Sequence, residues 1–263
     1  MPPPAPQPRA ETLAGKTALV TGSARGIGRA IALALAARGC NVVVNYFRHR
    51  AEADATAQAI EALGVHALVI KAHVGDEAAM RALVDAAVAH FGGVDIFVAN
   101  AASGVQRSVL ELETRAWDWT LDINTRSILV GAQTVAPHMQ ARGWGRIIAI
   151  SSLGSQRVYA DYAAVGVSKA AVEALVRYLA VELAPVGIIC NCINPGLVRT
   201  DALDHFPRKD AMLAHAEANT PTGRLVTPED VAGLVLWLCT DAAAQIVGQT
   251  IQMDGGYALG VGR

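Results

Sequence analysis

Tyr162 and Lys169 lie seven residues apart in one alanine- and valine-rich stretch of this 263-residue chain. If the stretch is helical, seven residues make two turns and both side chains share a face. A phenol there can donate a proton to an oxygen on which negative charge is building, and a nearby ammonium favours the anionic form of that phenol. Tyr159 competes for the role, because the segment before the helix could turn either ring inward; the spacing to Lys169 favours Tyr162. Ser151 and Ser152 follow an apolar run, and Asn124 sits in a semi-apolar helical stretch where a buried amide needs partners.

A second set of residues suits a nucleotide. Thr21-Gly22-Ser23-Ala24-Arg25-Gly26-Ile27-Gly28 joins an apolar run to an alanine-rich one. Gly22 permits the tight turn, Gly26 lets backbone approach a pyrophosphate, Gly28 lets the helix pack closely, and the helix amino end faces the phosphates. An NAD site would place Asp or Glu at the end of the second strand. The chain instead reads Asn45-Tyr46-Phe47-Arg48, with no carboxylate until Glu52. Arg25 and Arg48 can hold a 2′-phosphate, so the expected cofactor is NADPH, with Tyr46 also counted among its contacts. Asn100, at the end of the fourth strand and followed by Ala101, suits a brace for the cofactor crevice. Thr200, after the Pro195-Gly196 turn, could meet the nicotinamide amide or the phosphates.

The elements that must position these residues alternate. Apolar strands are expected at 17–22, 41–46, 67–74, 95–101, 146–152, 187–196 and 250–256. Helices are expected between them, at 29–38, 49–63, 76–90, 115–140 and 160–184. That order predicts an α/β fold: a single doubly wound parallel sheet with helices on both faces. Residues 1–12 read as a disordered tail and 13–263 as one catalytic domain. The polar stretch 197–224 follows the sixth strand, where ligands of such sheets bind, and is expected to cover the substrate.

Composition narrows the class. With 52% apolar and 17% charged residues the chain can bury a substantial core, and a net charge of −1 gives no general attraction to nucleic acid. The start of the chain lacks the pattern of a signal peptide, and no clean apolar run reaches a membrane-spanning length; a cytoplasmic protein is expected, with no membrane partner. Cys40, Cys190, Cys192 and Cys239 lack zinc-like spacing and read as buried thiols. The histidines show no metal-ligand spacing either, and hydride transfer needs no metal.

The glycine turn at 22–28, Asn100, Asn124, Ser151-Ser152, the Tyr/Lys helix and Asn194-Pro195-Gly196, in this order, resemble the classical short-chain dehydrogenase/reductase family over about residues 14–256. The resemblance implies a Rossmann fold. It implies that Ser152 orients the substrate (or only caps its loop), and that Asn124 holds a water or backbone beside Lys169 (or is structural). His73, with Val74 beside it, stands where the family generally has an Asp at the adenine. One departure is informative. The usual tyrosine four positions before the lysine would be residue 165, which is Val165. The Tyr162–Lys169 spacing is that of enoyl-acyl carrier protein reductases. The flanking segments Asn100 to Val105, Trp117 to Thr120, Ser151 to Ser155, Val165 to Lys169, Arg177 to Leu183 and Asp201 to Pro207 resemble the NADPH-dependent type III (FabL-type) enoyl reductases. That resemblance implies a homotetramer acting on trans-2-enoyl thioesters in fatty acid elongation. Their carrier would be acyl carrier protein or coenzyme A, met through Arg199, Arg208, Lys209 and Arg224. A carbonyl reductase of 3-oxoacyl thioesters or of secondary metabolism is the alternative.

Overall fold

The computed structural model describes residues 13–200 and 209–260. The expected tail at 1–12, and residues 201–208 within the expected covering segment, lie outside them.

Short β-branched runs supply the sheet: β1 (Thr17–Val20), β2 (Asn41–Tyr46), β3 (Ala67–Lys71), β4 (Ile96–Ala99), β5 (Gly145–Ile150), β6 (Ile188–Pro195) and β7 (Thr250–Met253). They form one parallel seven-stranded sheet in the order β3-β2-β1-β4-β5-β6-β7. The order reverses between β1 and β4, which opens a crevice at the carboxyl ends of those strands.

Alternation along each strand sorts side chains to two faces. Ala18, Val20, Val42, Val44, Ile96, Val98, Ile148 and Ile193 share one core with helices α1 (Gly26–Ala36), α2 (Arg50–Glu61) and α8 (Pro228–Leu238). Leu19, Val43, Phe97, Ile147, Ala149 and Cys192 pack on the other face with α3 (Glu77–Phe91), α5 (Ser127–Ala141) and α6 (Ala163–Leu183). Both faces are therefore sealed, and the strands read as continuous apolar runs for that reason. Helix ends carry local signals. The Asp76 side chain accepts from the Ala79 amide at the start of α3, and Gly92 ends that helix at φ +79°.

The helix expected at 115–140 is continuous over 114–141 and contains an internal irregularity: α4 (Thr114–Leu121) runs into α5 through a π turn at Asp122–Arg126. The inserted residue rotates Asn124 into the interior, as π insertions near functional sites commonly do. The sequence reading also left α8 unassigned. Its start is a reciprocal capping box between Thr227 and Asp230, with Pro228 in the first turn. A further helix, α7 (Lys209–Asn219), occupies the segment read only as a polar cover. The four cysteines are buried and unpaired; burial pushes the thiols of Cys40, Cys190 and Cys192 up to about 12 and raises that of Cys239 as well, so they stay protonated. Among the described residues, no helix is long and apolar enough to cross a membrane.

Candidate functional site

Lys169 is buried on α6 and donates from Nζ to the Ile150 carbonyl at 2.7 Å, at the carboxyl end of β5. Burial lowers its pKa to about 8. α6 begins at Ala163 and Tyr162 is its cap, at φ −113° and ψ 13°, with its carbonyl accepting from the Gly166 amide at 2.8 Å, so the seven-residue spacing to Lys169 starts on the first turn of the helix. The preceding turn leads the chain into that position. Asp161 has φ +59°, a left-handed conformation that costs an L-residue about 1–2 kcal/mol and is least unfavourable for Asp, Asn and Gly. The Asp161 carbonyl accepts from the Arg107 amide at 3.0 Å, which holds that turn against the loop after β4.

The Tyr162 hydroxyl is hydrogen-bonded to the Ser152 side chain, and burial raises its pKa more than that bond lowers it. Ser152 also accepts from the Gly154 amide, so it both caps its loop and holds the phenol. A Cβ on Gly154 would lie 2.6 Å from Tyr162 Cε1, and one on Gly166 would lie 2.7 Å from the Gly154 carbonyl oxygen. The Tyr162 ring, Gly154 and Gly166 are thus stacked with no room for a methyl group between them. Tyr159 is more exposed, meets Tyr162 edge-on at 6.1 Å, and has its pKa raised first by burial and then by Tyr257. Val165 is buried, and its Cγ2 fills the place a Gly104 Cβ would take, 2.1 Å away. A tyrosine at 165 would meet that backbone.

Asn124 takes the structural alternative of its expected roles. Its Oδ1 accepts from the Ser103 amide (2.8 Å), while Nδ2 donates to the Ser103 carbonyl and to Ser168 Oγ, both at 2.9 Å. The amide therefore ties the loop after β4 to the residue preceding Lys169, and acts as a brace.

The glycine turn has the shape a pyrophosphate requires. Gly22 and Gly26 have φ of +64° and +56°, and a Cβ on Gly28 would lie 2.4 Å from the Gly22 carbonyl. No side chain caps α1 and no acid lies in its first turn, leaving its positive end to an anion. The Thr200 methyl approaches within 3.7 Å of where a Gly26 Cβ would be, so the loop after β6 faces the turn. Asn100 Nδ2 donates to the carbonyls of Thr21 and Gly22, and Ala101 packs beneath Gly22 with its amide on Thr21 Oγ1. Pro195 and Gly196 close the end of β6, with Gly196 pressed on Asp254. These residues fit a dinucleotide.

Ser23 and Tyr46 need correction. The Ser23 side chain is fully buried, donating to the Val20 carbonyl and accepting from the Asn45 amide, so it braces the turn from within. Tyr46 packs in the core and accepts from Arg50. Val74 is core wall and Ile27 is half-buried against the core of α1. Arg25 and Arg48 are both exposed at the mouth of the crevice. Phe47, which the sequence reading passed over, meets His73 edge-on at 4.6 Å and lies under the Arg48 guanidinium at 5.7 Å. The nearest carboxylates are engaged elsewhere: Glu52 with His49, and Asp54 with Arg50. Arg199 pairs with Glu217 and Arg224 with Asp230, so neither presents an uncompensated charge; the side chains of Arg208 and Lys209 lie outside the described residues.

A further buried acid was missed, Glu173, which binds Ser151, Ser155 and Asn194. The available signal was a lone carboxylate between Val172 and Val176 on the sheet-facing side of a helix.

With this geometry the chain can be set beside known proteins. The family model described as enoyl-(acyl carrier protein) reductase matches residues 22–258. The 1-cyclohexenylcarbonyl-CoA reductase of Streptomyces collinus is 37% identical over 246 residues, which cover 93% of this chain and 87% of the relative. The 3-oxoacyl-[acyl-carrier-protein] reductase FabG of Staphylococcus aureus is 35% identical over 244 residues, 93% of this chain and 98% of the relative. A solved 7α-hydroxysteroid dehydrogenase, complexed with NADH and 7-oxo glycochenodeoxycholic acid, superposes with a TM-score of 0.89 at 32% identity, covering 94% of this chain and 96% of its own. Sheet order, glycine turn and the Ser–Tyr–Lys cluster are thus met by similarity along nearly the whole chain, which belongs to the short-chain dehydrogenase/reductase family of oxidoreductases.

Proposed function

We propose that the protein uses NADPH to reduce the carbon–carbon double bond of trans-2-enoyl thioesters. The observation that carries this reading is position 165, filled by a buried valine packed on Gly104, with Tyr162 instead standing over Gly154 at the start of the helix that carries Lys169. The family model's description and the cyclohexenylcarbonyl-CoA reductase of Streptomyces collinus support it.

The glycine turn and the Pro195–Gly196 turn would hold the cofactor, which when bound would supply the hydride that the substrate's β-carbon accepts. Negative charge then builds on the thioester oxygen. Tyr162 donates a hydrogen bond or proton to that oxygen, which stabilises charge where it develops. Ser152 fixes the phenol through their shared hydrogen bond. Lys169 spends one N–H on Ile150 and keeps its other donors for the nicotinamide ribose. Protonation of the α-carbon by solvent completes the reduction.

The 2′-phosphate falls to Arg25 and Arg48, with Phe47 and His73 forming an aromatic edge for the adenine. Replacing both arginines by alanine is expected to weaken NADPH about 10-fold and leave NADH within about 2-fold, read by fluorescence titration. Equal losses for the two cofactors would contradict that assignment.

The 35% identity to FabG favours a second reading, reduction of 3-oxoacyl thioesters. NADPH oxidation with crotonyl-CoA and with acetoacetyl-CoA separates the two. The enoyl substrate is expected to turn over at least about 10-fold faster, a difference of about 1.4 kcal/mol in barrier; the reverse order moves the protein to the ketoreductases. For assembly, Val167, Tyr178 and Val181 form an outward apolar row on α6, exposed by 47%, 71% and 76%. Such a row supports burial against another copy, in the homotetramer that the type III resemblance implies.

A further inference from the structure

Glu173 lies one helical turn beyond Lys169 on α6, 8% exposed. A carboxylate buried there must find donors, and it finds them from three separate segments. Its Oε1 accepts from Ser151 Oγ at 2.7 Å, Ser155 Oγ at 2.6 Å and Asn194 Nδ2 at 2.9 Å. Asn194 Nδ2 also donates to Ser155 Oγ at 3.0 Å, and Asn194 is fully buried. Among the described residues none forms an ion pair with Glu173, so its charge is held by these hydrogen bonds.

The donors sit at places that matter. Ser151 directly follows β5, Ser155 lies in the one-turn helix Leu153–Ser155 beyond it, and Asn194 immediately precedes the Pro195–Gly196 turn. Lys169 already grips Ile150 at the same strand end. Two side chains one turn apart on α6 therefore hold the two residues directly before Ser152. Hydrogen bonds to an ionised carboxylate are shorter and stronger than neutral ones, and a single oxygen shared by three segments fixes their mutual positions.

We propose that Glu173 is a positioning residue. It locks the Ser151–Ser155 segment, and with it the partner of the Tyr162 hydroxyl, to the turn on the nicotinamide side of the crevice. This rests on the proposed function only in taking Ser152 and Tyr162 as the reacting pair; it is indifferent to which bond is reduced.

The test uses the full-length protein and the variants Glu173→Gln, Glu173→Ala and Ser155→Ala. Turnover is measured with crotonyl-CoA and acetoacetyl-CoA, NADPH affinity by fluorescence, and the folded fraction by thermal melting. Because small misplacements of reacting groups cost up to about 100-fold, Glu173→Ala is expected to lower kcat per folded molecule about 30-fold with the thioester KM within about 3-fold. Glu173→Gln, which keeps an acceptor oxygen, is expected to stay within about 5-fold of wild type, and Ser155→Ala to lose about 3- to 10-fold in kcat. If Glu173→Ala does not fold, Ser155→Ala, which deletes one half-buried hydroxyl, still reads the network. Unchanged kcat per folded molecule, or a glutamine variant as impaired as alanine, overturns the proposal. A wild-type protein inactive on both thioesters would contradict the proposed function instead. NADPH affinity then decides on Glu173 alone, through the Asn194 arm: about 10-fold weaker binding in Glu173→Ala is expected, and wild-type affinity overturns it.

Discussion

Tyr162→Phe is expected to lower kcat for the enoyl thioester by about 100- to 10,000-fold, the range for loss of a positioned general acid, while NADPH affinity stays at wild type. The substitution removes only the hydroxyl. The ring keeps its place over Gly154, where no Cβ competes with it, so folding is expected to survive. What is lost is the group hydrogen-bonded to Ser152 and aimed, in the proposed reaction, at the developing oxyanion. Tyr159→Phe is the matched control. That ring is 40% exposed and touches Tyr162 only edge-on, so its variant should stay within about 3-fold of wild type. Steady-state kinetics on both variants checks the pair; a large loss in Tyr159→Phe with little in Tyr162→Phe would exchange their roles.

Lys169→Met is expected to be nearly as damaging, about 100-fold or more in kcat/KM, because in the proposed reaction the buried ammonium holds the cofactor ribose. The wild-type pH profile gives an independent reading. Burial lowers Lys169 to about 8 from its ordinary 10.5. The charged form therefore dominates below about 8, and kcat/KM should fall along an alkaline limb near that value. The effect on stability runs the other way. The folded state holds this proton less tightly than the unfolded state, so burial of the charge costs stability below about 8, and the cost is relieved as pH rises toward 10.5. An activity profile flat through pH 9 would contradict the role given to Lys169.

Much of this site was legible because its residues sit where regular elements end. β2 spans the expected 41–46, and the Rossmann order follows from apolar runs separated by helices. The glycine turn was readable because steric demands at Gly22, Gly26 and Gly28 leave few alternatives. What periodicity misjudged were departures from it. The π turn at Asp122–Arg126 carries no composition signal, yet it directs Asn124 onto Ser103 and Ser168. Tyr162 caps α6 rather than lying within it, and the left-handed Asp161 that leads into the cap carries no periodic signal. Ser23 and Tyr46 occupied expected cofactor positions but satisfy their polar atoms inside the protein. Glu173 was passed over because its meaning depends on donors 18 to 22 residues away, which only the folded sheet brings together.

The most direct measurement is the fate of the transferred hydride. The protein is given crotonyl-CoA and NADPH deuterated at the transferable position of the nicotinamide, and the product is examined by mass spectrometry and NMR. An enoyl reductase yields butyryl-CoA carrying one deuterium at C3 and a solvent proton at C2. Crotonyl-CoA recovered without deuterium, while acetoacetyl-CoA becomes 3-hydroxybutyryl-CoA deuterated at C3, would contradict the proposed reaction and assign the protein to carbonyl reduction.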